Sequence, residues 1–205
     1  LGSAFTSRYK RDALGDASSN SVTAAFFGDG TCNNGQFFEC LNMAQLWKLP
    51  ILFVVENNKW AIGMAHDRAT SDPEIWRKAG SFGMAGEEVD GMDVLAVRAA
   101  AQRAIERARA GEGPTVLECL TYRFRGHSLA DPDELRSEQE KQFWAKRDPL
   151  KALERDLTEA GLVTSDELRG IEKEIDAVIS DCVDFALSAP EPDPAELTRY
   201  IWAED

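Results

Sequence analysis

Asp29, set between Gly28 and Gly30, and the consecutive pair Asn57-Asn58 are the residues of this chain best suited to hold an ion. A carboxylate and a carboxamide oxygen are both hard donors. Mg²⁺ takes such donors in near-octahedral geometry and keeps waters or phosphate oxygens among its ligands. Glycines on both sides of an aspartate allow unusual backbone angles and let a ligand approach main-chain N–H groups. A helix starting just beyond them would aim its partly positive N-terminus at an anion. The chemistry these residues suggest together is a diphosphate bridged through Mg²⁺ to two loops. Each piece alone has a plainer reading, because Gly-Asp-Gly and Asn-Asn are also ordinary turn sequences. His127, in Tyr-Arg-Phe-Arg-Gly-His-Ser, is the other group that could move a proton, with a surface histidine as its plain alternative. His66 is assigned to the surface, and Cys32 is given no direct role.

The elements that must position these residues follow from apolar patterning. Residues 22–27 read as a short buried strand ending at Gly28. From Asn34 a helix is expected, with Phe37, Phe38, Leu41, Ala44 and Trp47 at spacings of three and four, stopped by Pro50. Residues 51–55 form the next strand, so strand, helix and strand make a parallel crossover. Residues 57–90 are mixed and glycine-rich and read as an irregular connection. Asp93 caps a helix running to Ala110, residues 115–121 supply a third strand, and 122–148 form a second polar loop.

The tail reads as helical. Asp148-Pro149 opens one helix. The capping box Thr164-Ser-Asp-Glu167 opens another, with Leu168, Ile171, Ile175, Val178, Cys182 and Phe185 on one face. After Pro190 an extended arm is expected. The organisation is thus an α/β domain with a parallel sheet and flanking helices over residues 1–148, and a helical extension over 149–205 packed on it. The loops starting at Gly28, Asn57 and Tyr122 all leave strand C-terminal ends, where such sheets bind ligands.

Composition narrows the function classes. A formal net charge of −13 argues against nucleic acid, whose phosphates need clustered Lys and Arg. No apolar run approaches the roughly 20 residues of a membrane span, and the first residues lack the features of a secretory signal. Four scattered cysteines favour a reducing compartment over a disulfide framework. A dinucleotide-binding Rossmann domain is disfavoured because G-x-G-x-x-G is absent.

The segment GDGTCNNGQFFECLNMAQLWKLPILFVVENN places 26 residues between Gly30 and Asn57. With NNKWAIGM, ATSDPEIW, VDGMDVLAVR and TYRFRGHSLADPDELR, it resembles the alpha subunits of the thiamine-diphosphate-dependent 2-oxoacid dehydrogenases, of the pyruvate type, over residues 1 to about 190. The resemblance implies the thiamine-diphosphate-binding fold. It implies that Asp29 and Asn58 ligate Mg²⁺ through their side chains and Trp60 through its backbone carbonyl. Gly28, Gly30 and Thr31 would line the diphosphate, and His127 would act in a loop at the active-site mouth. The activity implied is oxidative decarboxylation of pyruvate with transfer of the acetyl group to a lipoyl domain of an acetyltransferase component. A beta subunit would complete an α₂β₂ heterotetramer and supply the glutamate that activates the aminopyrimidine, so Glu56 is not assigned that task.

Some of the family pattern is missing. The Tyr-Arg pair and the Gly-x-Val/Ile stretch of the family's N-terminal portion do not occur before Leu1, so the chain is expected to be N-terminally incomplete and inactive alone. Ser128 stands where mitochondrial relatives are phosphorylated, and phosphorylation is not expected here. Arg123 and Arg125 could attract an anionic substrate, order their loop or simply be solvated. GDGTCNNGQ fits the pyruvate type better than the branched-chain type. The closest likeness is to cyanobacterial and plastid forms, which implies bacterial cytoplasm or plastid stroma. The alternatives are another 2-oxoacid or acetoin dehydrogenase alpha subunit, or a non-catalytic assembly protein.

Overall fold

The computed structural model describes residues 1–199 and 201, and the chain divides into two compact units, Leu1–Leu153 and Glu154–Asp205. The first unit begins with α1 (Gly2–Asp12), β1 (Thr23–Gly28), α2 (Gly35–Leu46) and β2 (Ile51–Asn57). The small strands β3 (Trp60–Ala61) and β4 (Met64–Ala65) follow, then the single turns α3 (His66–Ala69) and α4 (Ile75–Lys78). β5 (Ala85–Asp90), α5 (Val94–Arg109), β6 (Thr115–Leu120) and α6 (Glu138–Ala145) come next; α7 (Pro149–Glu159) begins in the first unit and ends in the second, which also contains α8 (Ser165–Ser188).

The main sheet has the order β1-β2-β6-β5, and every pairing is parallel. β2 lies inside it and alternates its side chains between two cores. Ile51, Phe53 and Val55 pack with Phe37, Leu41 and Ala44 of α2 on one face. Leu52 and Val54 meet α5 on the other, where Ala100, Ala104 and Ala108 recur every four residues. Alanines at that spacing present a smooth stripe that lets α5 lie close to the sheet. Burying each large aliphatic side chain of β2 contributes about 1.5–3 kcal/mol, which fixes this strand as the frame for the loops at its end.

The expected strand–helix–strand crossover is present. Asn34 caps α2 through a bond from the Gln36 N–H at 2.9 Å, and Asp93 caps α5 by accepting from the Leu95 and Ala96 N–H groups. The Thr164–Glu167 capping box opens α8 as read, and Asp148 accepts from the Leu150 N–H at the start of α7.

Three expectations fail. Residues 57–90 are not wholly irregular, because Ala85–Asp90 form the edge strand β5, paired with β6. The polar loop 122–148 contains α6, capped by Ser137, which accepts from the Glu140 N–H at 3.1 Å. The arm after Pro190 is not extended throughout, since Pro194–Thr198 wind into a 3₁₀ turn capped by Asp193. A proline at the first helical position with an aspartate before it favours that turn.

Candidate cation and diphosphate site

The parallel register brings the loop ends together. Gly28 pairs with Glu56 and Asn57 with Leu120, so the loops after β1, β2 and β6 leave the sheet at one edge. The Thr121 N–H donates to the Asn57 carbonyl at 2.9 Å and extends that alignment one residue past β6.

Asp29 opens a 3₁₀ turn, Asp29–Asn33, directly after β1. Its side chain is buried at 1% exposure, and its Oδ2 has no hydrogen-bond partner. A buried carboxylate oxygen without a donor is costly and calls for a positive species. Burial pushes the Asp29 carboxyl above the usual carboxylate range, while charge on His66, on Lys59 and the Asn58 N–H pull the other way.

His66 is the correction to the sequence reading. It is not a surface group: it is 3% exposed, and its Nδ1 lies 3.5 Å from Asp29 Oδ2. The other ring nitrogen, Nε2, sits 3.0 Å from the Pro73 carbonyl, which can only accept, so Nε2 carries a hydrogen. The His66 backbone N–H donates to the Lys59 carbonyl at 2.9 Å, tying α3 to the turn after β2. Sequence offered one signal for this, the strand-end position of the segment 57–66. The histidine's partner Asp29 lies 37 residues earlier in the chain, so the contact could not be read from local pattern.

The turn after β2 is built from side-chain acceptors. Asn57 Oδ1 accepts from the Lys59 N–H at 3.0 Å, and Asn58 Oδ1 accepts from the Trp60 N–H at 3.1 Å. Lys59 has a left-handed φ of 68°, which this double turn requires. Trp60 then enters β3. A Cβ on Gly30 would lie 2.6 Å from the Ala61 Cβ, so the Asp29 turn and β3 touch where only glycine fits. Gly28, Gly30 and Thr31 are exposed along this edge. Cys32 is fully buried beneath them, and burial pushes its thiol up to about 12, so it is inert.

His127 is exposed on the third loop, and its backbone N–H donates to Asp131 Oδ2 at 2.7 Å. Asp131 Oδ1 also accepts from the Asp133 N–H at 2.9 Å. Those two backbone bonds hold the Asp131 carboxyl below its usual range. The loop is stapled from inside by Arg136, 4% exposed, which donates to the Arg123 carbonyl and, at 2.9 Å, to the Arg125 carbonyl. Arg136 also lies over the Tyr122 ring, on which Trp144 of α6 stacks at 5.2 Å. Arg123 is not simply solvated: it donates to the Arg125 and Ile62 carbonyls and orders its loop. Ser128 is exposed.

Among the described residues no three His, Cys, Asp or Glu side chains converge as a metal cage. A Mg²⁺ site that takes one carboxylate, one carboxamide, one peptide carbonyl and diphosphate oxygens needs no such cage. The orphaned Asp29 oxygen beside the Asn58 turn fits that donor set. Among the described residues no helix is long and apolar enough to cross a membrane.

Known proteins resemble the chain over almost its whole length. Residues 2–195 match the family model described as dehydrogenase E1 component. The chain is 60% identical over 204 residues to the pyruvate dehydrogenase E1 component subunit alpha of Porphyra purpurea, covering 100% of this chain and 59% of that protein. It is 60% identical over 205 residues to the chloroplastic subunit alpha-3 of Oryza sativa subsp. japonica, covering 99% of this chain and 48% of the relative. The subunit alpha of Rhizobium meliloti is 46% identical over 201 residues, with 98% of this chain and 56% of the relative covered. The chain therefore spans about half to three-fifths of the length of the curated relatives it matches. The chain belongs to the dehydrogenase E1 component family.

Proposed function

We propose that this chain is the cofactor-binding part of the alpha subunit of a thiamine-diphosphate- and Mg²⁺-dependent pyruvate dehydrogenase, working with a beta subunit in an α₂β₂ assembly. The observation that carries the cofactor reading is the buried Asp29, with one oxygen unpartnered at the edge where the Asn57-Asn58 turn emerges. The choice of pyruvate is supported by the names of relatives 60% identical across the chain. The chloroplastic relatives support a plastid stroma and the bacterial ones a bacterial cytoplasm.

In this reading Asp29, Asn58 and the Trp60 carbonyl hold Mg²⁺, and the Gly28–Thr31 backbone faces the diphosphate. Thiamine diphosphate, when bound, supplies the nucleophilic carbon and the electron sink for decarboxylation. The chain's own share is orientation and charge. The strand ends fix the two loops, the Asp29 carboxylate neutralises the cation, and the Arg136-braced loop presents His127 at the mouth, near the diphosphate and substrate. A lipoyl domain of an acetyltransferase component would accept the acetyl group there.

The test is reductive acetylation of a lipoyl domain by the full-length subunit assembled with its beta partner. Pyruvate should be preferred over branched-chain 2-oxoacids and acetoin, and turnover should require both thiamine diphosphate and Mg²⁺. Preference for one of the other substrates would reassign the enzyme within the family. No turnover of any of them, with no cofactor binding, would leave an assembly protein.

A further inference from the structure

Glu118 is fully buried in the middle of β6, on a strand whose neighbours Val116 and Leu117 are apolar. Both oxygens are engaged. Oε1 accepts from Asn57 Nδ2 at 2.6 Å, and Oε2 accepts from the Trp76 backbone N–H at 2.9 Å. Among the described residues no Lys or Arg forms an ion pair with it. A carboxylate in a core without a cation is expensive, and a well-packed apolar residue would fill the space at less cost.

What Glu118 achieves is the orientation of Asn57. A carboxylate can only accept, so it turns the Asn57 NH₂ group inward and leaves Oδ1 outward. Oδ1 then accepts the Lys59 N–H at 3.0 Å, while the Asn57 carbonyl accepts the Thr121 N–H at 2.9 Å. Asn57 is itself 0% exposed, so its amide has no water to satisfy it in another orientation. The chain of bonds runs from the centre of the sheet, through Asn57, to the left-handed Lys59, and so to the residues on either side of it, Asn58 and Trp60.

We propose that Glu118 is a positioning residue for the cation site: through the Asn57 side chain it sets the 57–60 turn that presents Asn58 and Trp60 beside Asp29. The inference rests on the cofactor reading above. It predicts a role in metal affinity for a residue that touches neither metal nor cofactor.

The experiment is calorimetric titration of Mg²⁺ into the full-length subunit assembled with its beta partner, in the presence of thiamine diphosphate, with thermal melting of each variant measured separately. Glu118→Gln sets an amide donor against a donor and should weaken Mg²⁺ by about 10- to 100-fold, the range for residues that orient metal ligands. The double variant N57D/E118Q restores every hydrogen bond with the same net charge, because the new amide donates to the new carboxylate. It should recover most of the lost affinity. Parental affinity in E118Q overturns the proposal, as does a folded double variant that binds as weakly as E118Q. If E118Q does not fold, the double variant decides alone. If neither folds, Asn57→Ser cuts the link at the turn, and parental affinity there overturns the proposal while a loss supports it. Asp29→Asn separates the two levels. If it keeps Mg²⁺-dependent binding, the cofactor reading itself fails, whereas loss in D29N with parental affinity in E118Q removes only the positioning role.

Discussion

The Nδ1 atom of His66 stands 3.5 Å from Oδ2 of Asp29, and both side chains are shut away from solvent. With Nε2 committed to the Pro73 carbonyl, the imidazole turns its other nitrogen toward a carboxylate oxygen that has no donor. Two such atoms face each other comfortably only when positive charge is shared with them, as a proton or as a cation. A buried polar pair of this kind, kept at a cost to stability, is what the proposed cation site would need.

Asp29→Asn should therefore stabilise the metal-free protein at neutral pH while abolishing its response to Mg²⁺. The sign follows from burial, which raises the Asp29 carboxyl above its unfolded value of 3.8. A group shifted that way favours folding fully below the unfolded value and loses the contribution as pH rises through the folded one. The expected gain in melting temperature is about 2–4 °C, the shift that roughly 1 kcal/mol gives in a chain of this size. A melting scan with and without Mg²⁺ and thiamine diphosphate reads both effects. A lower melting temperature for the metal-free variant would show that Asp29 is a stabilising residue instead.

Gly30→Ala should disturb the same turn from the other side. The added Cβ would meet the Ala61 Cβ at 2.6 Å, and overpacking of this kind costs about 1–3 kcal/mol. Gly28→Ala has no atom within 4 Å of the new carbon and serves as the neutral control for stability. Denaturant unfolding of the two variants should differ by that amount, and equal stabilities would mean that the turn moves freely against β3.

Asp131→Ala should loosen the His127 loop without unfolding the sheet. The bonds from the His127 and Asp133 N–H groups hold the Asp131 carboxyl below 3.8, so their contribution is present above that value and lost as pH falls through the depressed one. Hydrogen exchange at the His127 amide should quicken in the variant at neutral pH. In the parent it should stay slow until the acid limb. Equal exchange in both proteins would show that the loop is ordered by Arg136 alone.

The cysteines should divide by burial. Burial pushes the thiols of Cys32 and Cys119 up to about 12 and about 11, so neither offers thiolate at pH 8, whereas Cys182 is exposed. A disulfide reagent at pH 8 should label Cys182 rapidly and leave Cys32 and Cys119 until the protein is denatured. Rapid labelling of Cys32 in the native state would mean that the Asp29 turn opens.

The central frame was readable because residues 51–55 of β2 are an unbroken apolar run and α2 and α5 have capping residues at their first turns. β5 stayed hidden since Val89 is the one strand-favouring residue in Ala85-Gly-Glu-Glu-Val-Asp90. It is a sheet edge held by pairing to β6, and Gly86 lies against the Trp76 carbonyl where no side chain fits. α6 was in principle legible, for Ser137-Glu-Gln-Glu140 is a capping pattern within a polar stretch. Of the candidate site, Asp29 and Asn58 could be proposed from type and spacing. His66 and Glu118 could not, because the contacts that give them meaning cross 37 and 61 residues of chain to reach Asp29 and Asn57.

The central claim is that Asp29 and Asn58 hold one divalent ion. The most direct measurement is a crystal structure of the full-length subunit with thiamine diphosphate and Mn²⁺ in place of Mg²⁺, located by its anomalous signal. If the two residues share the ion, a single peak lies about 2.0–2.2 Å from a side-chain oxygen of each, close to the octahedral distance for a small hard cation. A peak elsewhere, or one bound by only one of the two, would contradict it.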